Sequence, residues 1–380
     1  MCNKPVYESS CKKDYKMITK NIYQTILLVL VISFSGCKNE KIYENPISEN
    51  ITFKNIKDNI TLSGTLSIPS KDGTFPAVVL ISGNGEHNRN EEFGNFKPFL
   101  DISNYLTKQG IAVLRYDKRG VGESKGNYDS ANSFDFANDV TSAIEYLLTR
   151  EEIKSNEIGL IGHSEGGLIA PIVASQSSNV AFIVSLAGPS ISGDKILLSQ
   201  QKAIALAKGT DISEVKKNQK LNQDAFEIIK LYKGGDTLRK RMTEYIEKIS
   251  LNDPDKPENM TYNEYVNAQV NGILRPWMVN FLRYNPEKYI EQVQVPVLAL
   301  NGTKDLQVLA SENLTEWKRI LENSGNKDVT IKELQNLNHL FQTCVTGLPE
   351  EYEEIDESFS AAVMKKMVNW IEKGIVTKDE

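Results

Sequence analysis

The stretch that decides the fold is residues 158–171, Ile-Gly-Leu-Ile-Gly-His-Ser-Glu-Gly-Gly-Leu-Ile-Ala-Pro. The apolar residues at its start indicate a buried strand, and those at its end begin a helical pattern. Between them is a Gly-x-Ser-x-Gly sequence centred on Ser164, whose glycines permit the tight turn that lifts a serine hydroxyl above a sheet edge. The alternative interpretation is a glycine-rich turn without chemical function.

Apolar runs elsewhere repeat this alternation of strand and helix. Two half-buried segments with alternating polarity are typical of antiparallel strands, and the runs that follow them are typical of buried parallel strands. Alternating units of this kind favour an α/β fold with a mostly parallel central sheet. The predicted strands are 51–56, 60–68, 77–81, 111–114, 158–161, 181–186, 295–300 and 329–334, and the first two predicted helices are 99–109 and 134–148.

The alternation stops after the sixth strand. Residues 193–290 have helical periodicity and no convincing strand, so we interpret them as a helical lid inserted into one sheet domain. Within the lid, Trp277 and Phe281 share a helix face, and they pack either in the core or as a wall of a substrate pocket. The predicted organisation is a signal over 1–36, a tether over 37–50, the core over 51–192, the lid over 193–290 and the rest of the core over 291–380.

Composition excludes several classes of protein. Hydrophobic residues at 40% and charged residues at 25% are typical of globular domains, and a net charge of −6 without a basic block gives no support for a nucleic-acid partner. Four cysteines without a CxxC pair, together with three histidines, indicate neither a disulfide framework nor a metal site.

The N-terminal segment has the pattern of a secretion signal. Several lysines precede the apolar run 26–32, and small residues follow it up to Cys37. Residues 34–37, Phe-Ser-Gly-Cys, resemble the bacterial lipoprotein signal, which implies that Cys37 is lipidated and that the catalytic domain is held at the cell envelope, outside the cytoplasm. An uncleaved anchor is the alternative, although the uncharged stretch 21–37 is shorter than the roughly 20 residues that span a bilayer. Met17 is a second candidate start.

Two further residues complete a possible catalytic set with Ser164. A serine hydroxyl needs a base to take its proton, and the base needs an acid to orient it. In folds with the strand-turn-helix serine, the chain order is serine, acid, histidine. Asp305 follows strand 295–300 and His339 follows strand 329–334, which matches that order. The alternative is a turn aspartate and a surface histidine.

A glycine-containing loop supplies the predicted oxyanion hole. The backbone N–H of Glu165, directly after the serine, is one expected donor, and the loop 82–89 after an earlier strand supplies the other, at Asn84. A phosphate-binding loop is the competing interpretation, but no Lys-Ser/Thr follows these glycines.

Together these motifs resemble the α/β-hydrolases, in particular bacterial carboxylesterases and serine aminopeptidase-like hydrolases. The resemblance extends over roughly residues 51–375. It implies an α/β-hydrolase fold. In the loop that follows residue 116 we expect Asp117 and Arg119 to have a structural role, as a buried or half-buried ion pair, in preference to substrate contact. Asn84, Glu86 and His87 depart from the oxyanion-loop sequence that such proteins have. The motifs that carry the resemblance are 116–124, 162–167, 186–189, 301–308 and 337–342.

The sequence therefore predicts a serine hydrolase that cleaves small carboxylic esters through an acyl-enzyme, without a metal or an organic cofactor. Its only expected membrane contact is a lipid on Cys37. A peptidase or amidase that uses the same three residues is the first alternative. A catalytically silent binding protein on the same scaffold is the second.

Overall fold

A computed structural model describes residues 42–251, 253–254 and 256–376. The predicted signal, with Cys37, lies outside the described residues. Eight strands form one sheet in the order β1-β2-β4-β3-β5-β6-β7-β8, in which β2 is antiparallel to both its neighbours and every pair from β4 to β8 is parallel. The strands are β1 Ile47–Asn55, β2 Ile60–Ile68, β3 Phe75–Ile81, β4 Ala112–Tyr116, β5 Ile153–His163, β6 Phe182–Leu186, β7 Val297–Gly302 and β8 Val329–Leu334.

The first strand begins inside the segment predicted as a tether. Residues 47–50 pair with residues 65–68 of β2, and this pairing extends β1 four residues towards the N-terminus. The polar side chains that suggested a tether are tolerated here because β1 is an edge strand with alternate residues facing solvent.

Helices cover both faces of the sheet. The side chains of β3 alternate between two buried clusters, with Val79 packed on the same side as α2, α3 and α10, and Val78 on the side of α1 and α11. This two-sided burial explains why the central strands are continuously apolar. The helices are α1 Pro98–Lys108, α2 Ser133–Leu147, α3 Glu165–Ala174, α4 Gly193–Ala207, α5 Ile212–Leu231, α6 Gly235–Ser250, α7 Tyr262–Ile273, α8 Pro276–Arg283, α9 Glu287–Ile290, α10 Ala310–Asn323 and α11 Ala361–Val376, with a 3₁₀ helix over Pro349–Glu354.

Helices α4 to α9 form the lid between β6 and β7. Residues of α5, α6, α7 and α8 bury a third apolar cluster that includes Phe226, Met242 and Val270. The lid thus has its own small core, as expected of a helical segment that packs as a unit. No helix in the described ranges is long and apolar enough to cross a bilayer.

Candidate active site

Ser164 makes the turn between β5 and α3. The strand ends at His163 and the helix begins at Glu165, so one residue reverses the backbone. Its φ of 52° and ψ of −117° lie in a region that a side chain disfavours. Such a conformation costs on the order of 1–3 kcal/mol and persists only where the surroundings enforce it. This is the strained turn that exposes a serine above a sheet edge.

Two glycines of the motif permit this turn. A Cβ on Gly162 would lie 2.1 Å from the carbonyl oxygen of Gly166, and a Cβ on Gly166 would lie 2.0 Å from that of Ile81. Both distances are far shorter than real Cβ contacts, so a side chain at either position would push α3 away from the sheet. The spacing of the motif is therefore a packing requirement of this turn.

Asp305 and His339 are in contact at the ends of β7 and β8. Nδ1 of His339 lies 2.8 Å from Oδ2 of Asp305, and both side chains are buried. The other carboxylate oxygen of Asp305 accepts the backbone N–H groups of Gln307 and Val308 at 2.8 and 2.9 Å. The carboxylate is thereby fixed, and the hydrogen of His339 is held on Nδ1, which leaves Nε2 available to accept a proton.

His339 is connected to the Ser164 turn through His163. Nε2 of His163 donates to the carbonyl oxygen of His339 at 3.0 Å, and the two ring centres are 5.0 Å apart. Within the described residues, the Ser164 hydroxyl has no hydrogen-bond partner, and its bond to His339 is not formed. Bonds of this type are often long in unliganded enzymes and tighten when substrate binds.

Two backbone amides beside Ser164 are unoccupied. In the part of the chain that the structure describes, the N–H groups of Asn84 and Glu165 have no acceptor, whereas that of Gly83 donates to Glu91 at 2.5 Å. A Cβ on Gly83 would lie 3.2 Å from that of Ser164, so this loop packs against the serine. Both amides are thus free to bind an oxyanion, and the N-terminus of α3 adds a positive partial charge.

Asp117 and Arg119 do not pair with each other. Asp117 accepts from Arg89 of the oxyanion loop at 2.7 Å, whereas Arg119 donates to Asp139 of α2 at 2.8 Å. Both are therefore structural ion-pair residues, but each pairs with a residue that is distant in the sequence. The contact between Arg89 and Asp117 fixes the base of the oxyanion loop.

The buried carboxylate of Glu165 joins the lid to this site. It accepts from Nε1 of Trp277 and from Oγ of Ser133, both at 2.6 Å, and from Nζ of Lys118 at 3.1 Å. Lys118 also donates to the carbonyl oxygen of Gly83 at 2.5 Å. Lys118 and Ser133 were not predicted from the sequence, although Lys118 lies inside the motif 116–124.

A cleft of about 340 Å³ borders the oxyanion loop at Asn84, and neither Ser164 nor His339 is among the described residues that line it. Trp277 contributes to its wall and stacks on Phe281, with ring centres 4.9 Å apart. Phe281 itself is buried in the main core and does not line the cleft, so core packing describes its position. The lining residues are Asn84, Gly85, Glu86, Tyr128 and Asp129 from the sheet domain and Gly272, Arg275, Trp277 and Met278 from the lid.

Comparison with known families identifies the chain. The sequence profile of the family described as serine aminopeptidase, S33 matches residues 75–343, which include the Ser164 turn, Asp305 and His339. The chain belongs to this family. The match runs from β3 to β8 and includes the lid, whereas β1 and β2 lie before it.

One curated relative of this S33 chain is an esterase. Esterase EstD of Thermotoga maritima is 25% identical over 280 residues, which cover 73% of this chain and 58% of that esterase. The S33 chain thus spans somewhat more than half the length of that relative.

Solved structures confirm the fold. The α/β-hydrolase GrgF of Penicillium sp. sh18 superposes with a TM-score of 0.54 at 14% identity, over 87% of this chain and 99% of that one. An esterase of Pyrococcus furiosus gives a TM-score of 0.51 at 16% identity, over 86% and 91% of the two chains. The S33 chain therefore has the α/β-hydrolase fold, with a mostly parallel sheet and a helical lid after the sixth strand.

Proposed function

We propose that this protein hydrolyses carboxylic esters through Ser164, His339 and Asp305. The observation that carries the proposal is the strained Ser164 turn, which has two unoccupied backbone amides beside it and a His339 already oriented by Asp305. The membership of the S33 family and the esterase among its relatives support the same class of reaction.

The reaction proceeds in two transfers of the acyl group. The Oγ of Ser164 bonds to the ester carbonyl carbon while its proton moves to Nε2 of His339, and the amides of Asn84 and Glu165 hold the oxyanion. Collapse breaks the bond to the alcohol oxygen, which takes the proton from His339. A water molecule then gives its proton to His339 and bonds to the acyl carbon. The bond between that carbon and Oγ of Ser164 breaks, His339 returns the proton to Oγ, and the acid leaves.

The lid side of the cleft favours an ester over a substrate with a free amino terminus. The lid contributes the guanidinium of Arg275 to the cleft, and no lid carboxylate is among the described residues that line it. An aminopeptidase needs a carboxylate placed to bind the ammonium group of its substrate. The lid side of the cleft would repel that group.

A second candidate function is hydrolysis of amides or short peptides. The sheet domain contributes the exposed carboxylates of Glu86 and Asp129 to the same cleft, on the side of the oxyanion loop. These two groups could bind an amine, and the acyl-transfer chemistry would be unchanged.

A comparison of two substrate classes separates ester hydrolysis from amide or peptide hydrolysis. We expect the purified protein to cleave short-chain nitrophenyl esters with a kcat/KM at least about 100-fold above that for aminoacyl nitroanilides. Faster anilide cleavage, lost in Glu86→Gln or Asp129→Asn, would make the peptidase the correct assignment. Absence of both activities would overturn the hydrolase proposal in favour of a binding protein.

We further propose that a lipid on Cys37 holds the protein at the cell envelope, with the catalytic domain outside the cytoplasm. The basic, apolar and small-residue order of the N-terminal segment supports this. Cys37→Ser should move the protein from the membrane to the soluble fraction, whereas Cys344→Ser should not, since Cys344 is buried and desolvation raises its pKa to about 11. Retention of the Cys37→Ser protein in membranes would indicate an uncleaved anchor instead.

A further inference from the structure

Behind Ser164 lies a buried pair of charged residues that the reaction above does not use. Nδ1 of His163 is 3.0 Å from Oε1 of Glu91, and the two residues are 7% and 5% exposed. Burying two charges is expensive, and such pairs seldom add net stability. A buried pair of His163 and Glu91 next to the candidate nucleophile therefore suggests a functional role.

His163 carries a hydrogen on both ring nitrogens. Its Nδ1 faces the carboxylate of Glu91 and its Nε2 faces the carbonyl oxygen of His339, and both of these groups can only accept. Burial opposes the charged imidazole, but the charge and the hydrogen bond of Glu91 outweigh it, so the pKa of His163 is raised. Burial likewise opposes the Glu91 carboxylate, yet the charge of His163 and its hydrogen bond lower the pKa of Glu91.

The pair ties together three loops that must be aligned for acyl transfer. Oε1 of Glu91 also accepts the N–H of Gly83, which precedes the oxyanion donor Asn84, at 2.5 Å. Through His163 the same carboxylate is connected to the backbone of His339, the proposed base. His163 itself is the residue before Ser164. A displacement within this chain of contacts would change the distances among nucleophile, base and oxyanion hole.

The backbone of Glu91 is strained to make these contacts. Its φ of 50° lies in the left-handed region that glycine favours, and its amide donates to the carbonyl oxygen of Asn88 at 2.9 Å. Strain of this kind clusters where a side chain has to be aimed at a particular target. Here the target is the point at which the Gly83 amide and the His163 ring meet.

We propose that Glu91 and His163 are positioning residues for the acyl-transfer step, holding the oxyanion loop and the His339 loop in register with Ser164. The inference rests on the proposed ester hydrolysis at Ser164. Neither residue touches the substrate, and both act through backbone groups of Gly83 and His339.

Removing the carboxylate should lower turnover with little change in substrate binding. For Glu91→Ala we expect kcat on nitrophenyl acetate to fall about 100-fold, the loss that a displacement of about 1 Å can cause, while KM changes less than about threefold. Glu92→Gln is the matched control, because Glu92 is the exposed neighbour in the same loop, and its kcat should equal that of the wild type.

Glu91→Gln should restore turnover and change its pH dependence. The amide oxygen can take the position of Oε1 and accept from both the Gly83 N–H and Nδ1–H of His163, so both contacts are kept without the negative charge. The wild type should lose kcat as pH rises through the raised pKa of His163, because a neutral ring has one hydrogen for two nitrogens, and one nitrogen then turns a lone pair towards an oxygen that can only accept. The Gln variant lacks the negative charge that raises the pKa of His163, so its alkaline loss of kcat should begin at a lower pH than in the wild type.

Other charged groups around the pair are the same in both proteins and cannot produce that difference. They are His87, which interacts electrostatically with both Glu91 and His163, Asp305, which interacts with His163, and Lys118, which interacts with His87. Background hydrolysis at high pH is removed by subtracting the rate of Ser164→Ala at each pH.

Three results would overturn the inference. They are a Glu91→Ala enzyme with kcat within about threefold of the wild type, a Glu91→Gln enzyme as impaired as Glu91→Ala, and identical pH profiles for the wild type and Glu91→Gln. The pH comparison still decides the matter if Glu91→Ala fails to fold. A wild type that does not cleave the ester would overturn the proposed function itself, a result that appears before any variant is made.

Discussion

Replacing Ser164 by alanine should lower kcat for nitrophenyl esters about 10⁶-fold, as removal of a nucleophilic serine does in enzymes of this chemistry. Alanine has no hydroxyl and cannot form the acyl-enzyme, so only substrate binding and the oxyanion amides remain to accelerate hydrolysis. Removal of Oγ breaks no hydrogen bond of the described protein, so the fold should persist. The measurement is steady-state hydrolysis together with labelling by a fluorophosphonate, which bonds to activated serines.

Ser311→Ala is the matched control for that experiment. Ser311 is an exposed serine in the first turn of α10, and its loss should leave both turnover and labelling intact. The same fluorophosphonate should label the wild type at one site, and that site should disappear in Ser164→Ala. If Ser164→Ala keeps more than about a tenth of the wild-type kcat, another group is the nucleophile.

The three candidate catalytic residues could be predicted from the sequence because of where they lie relative to the strands. Ser164, Asp305 and His339 each follow a predicted strand, and carboxyl ends of neighbouring parallel strands meet at one edge of a sheet. Their approximate neighbourhood could therefore be predicted before the order of the strands was known. The order itself, with β3 between β4 and β5, depends on long-range pairing that no local pattern encodes.

The supporting residues of the site were harder to predict, for the same reason. Glu91 and His163 are 72 positions apart, and Glu165 meets Trp277 of the lid across 112 positions. From the sequence alone, a glutamate or a histidine is most simply interpreted as a surface residue. Only the folded structure shows that Glu91, His163 and Glu165 are buried. One feature of the sequence did point to His163: the chain has three histidines, and all three lie in the segments 82–89, 162–167 and 337–342.

Charge partners were mispredicted where the sequence offered a near neighbour. Asp117 and Arg119 are two positions apart at the end of β4, yet they bond to Arg89 and Asp139. Residues that follow a strand diverge into different layers, so closeness in sequence says little about contact. The start of β1 at Ile47 was missed likewise, because the pairing energy that extends an edge strand comes from β2.

Replacing Asp305 by asparagine should lower kcat about 10⁴-fold, the loss seen when the acid of such a triad becomes an amide. Oδ1 of Asp305 accepts two backbone N–H groups, from Gln307 and Val308, so the amide oxygen of an asparagine should occupy that position. The amide nitrogen then faces Nδ1 of His339 and donates to it. His339 is forced to carry its hydrogen on Nε2, where it can no longer take the proton of Ser164.

The experiment separates this tautomer effect from a loss of packing. Asp305→Asn keeps the shape of the side chain, so its Tm should change far less than its kcat, and KM should stay near that of the wild type. Asp328→Asn, at an exposed aspartate before β8, is the matched control and should be silent in both measurements. If Asp305→Asn is as active as that control, another carboxylate orients His339; Glu312 of α10 is the first to test, although in the structure it lines a different cleft. A selective loss of kcat would instead place the orienting negative charge at Asp305, because the asparagine differs from it only in charge and in the hydrogen that it offers to His339.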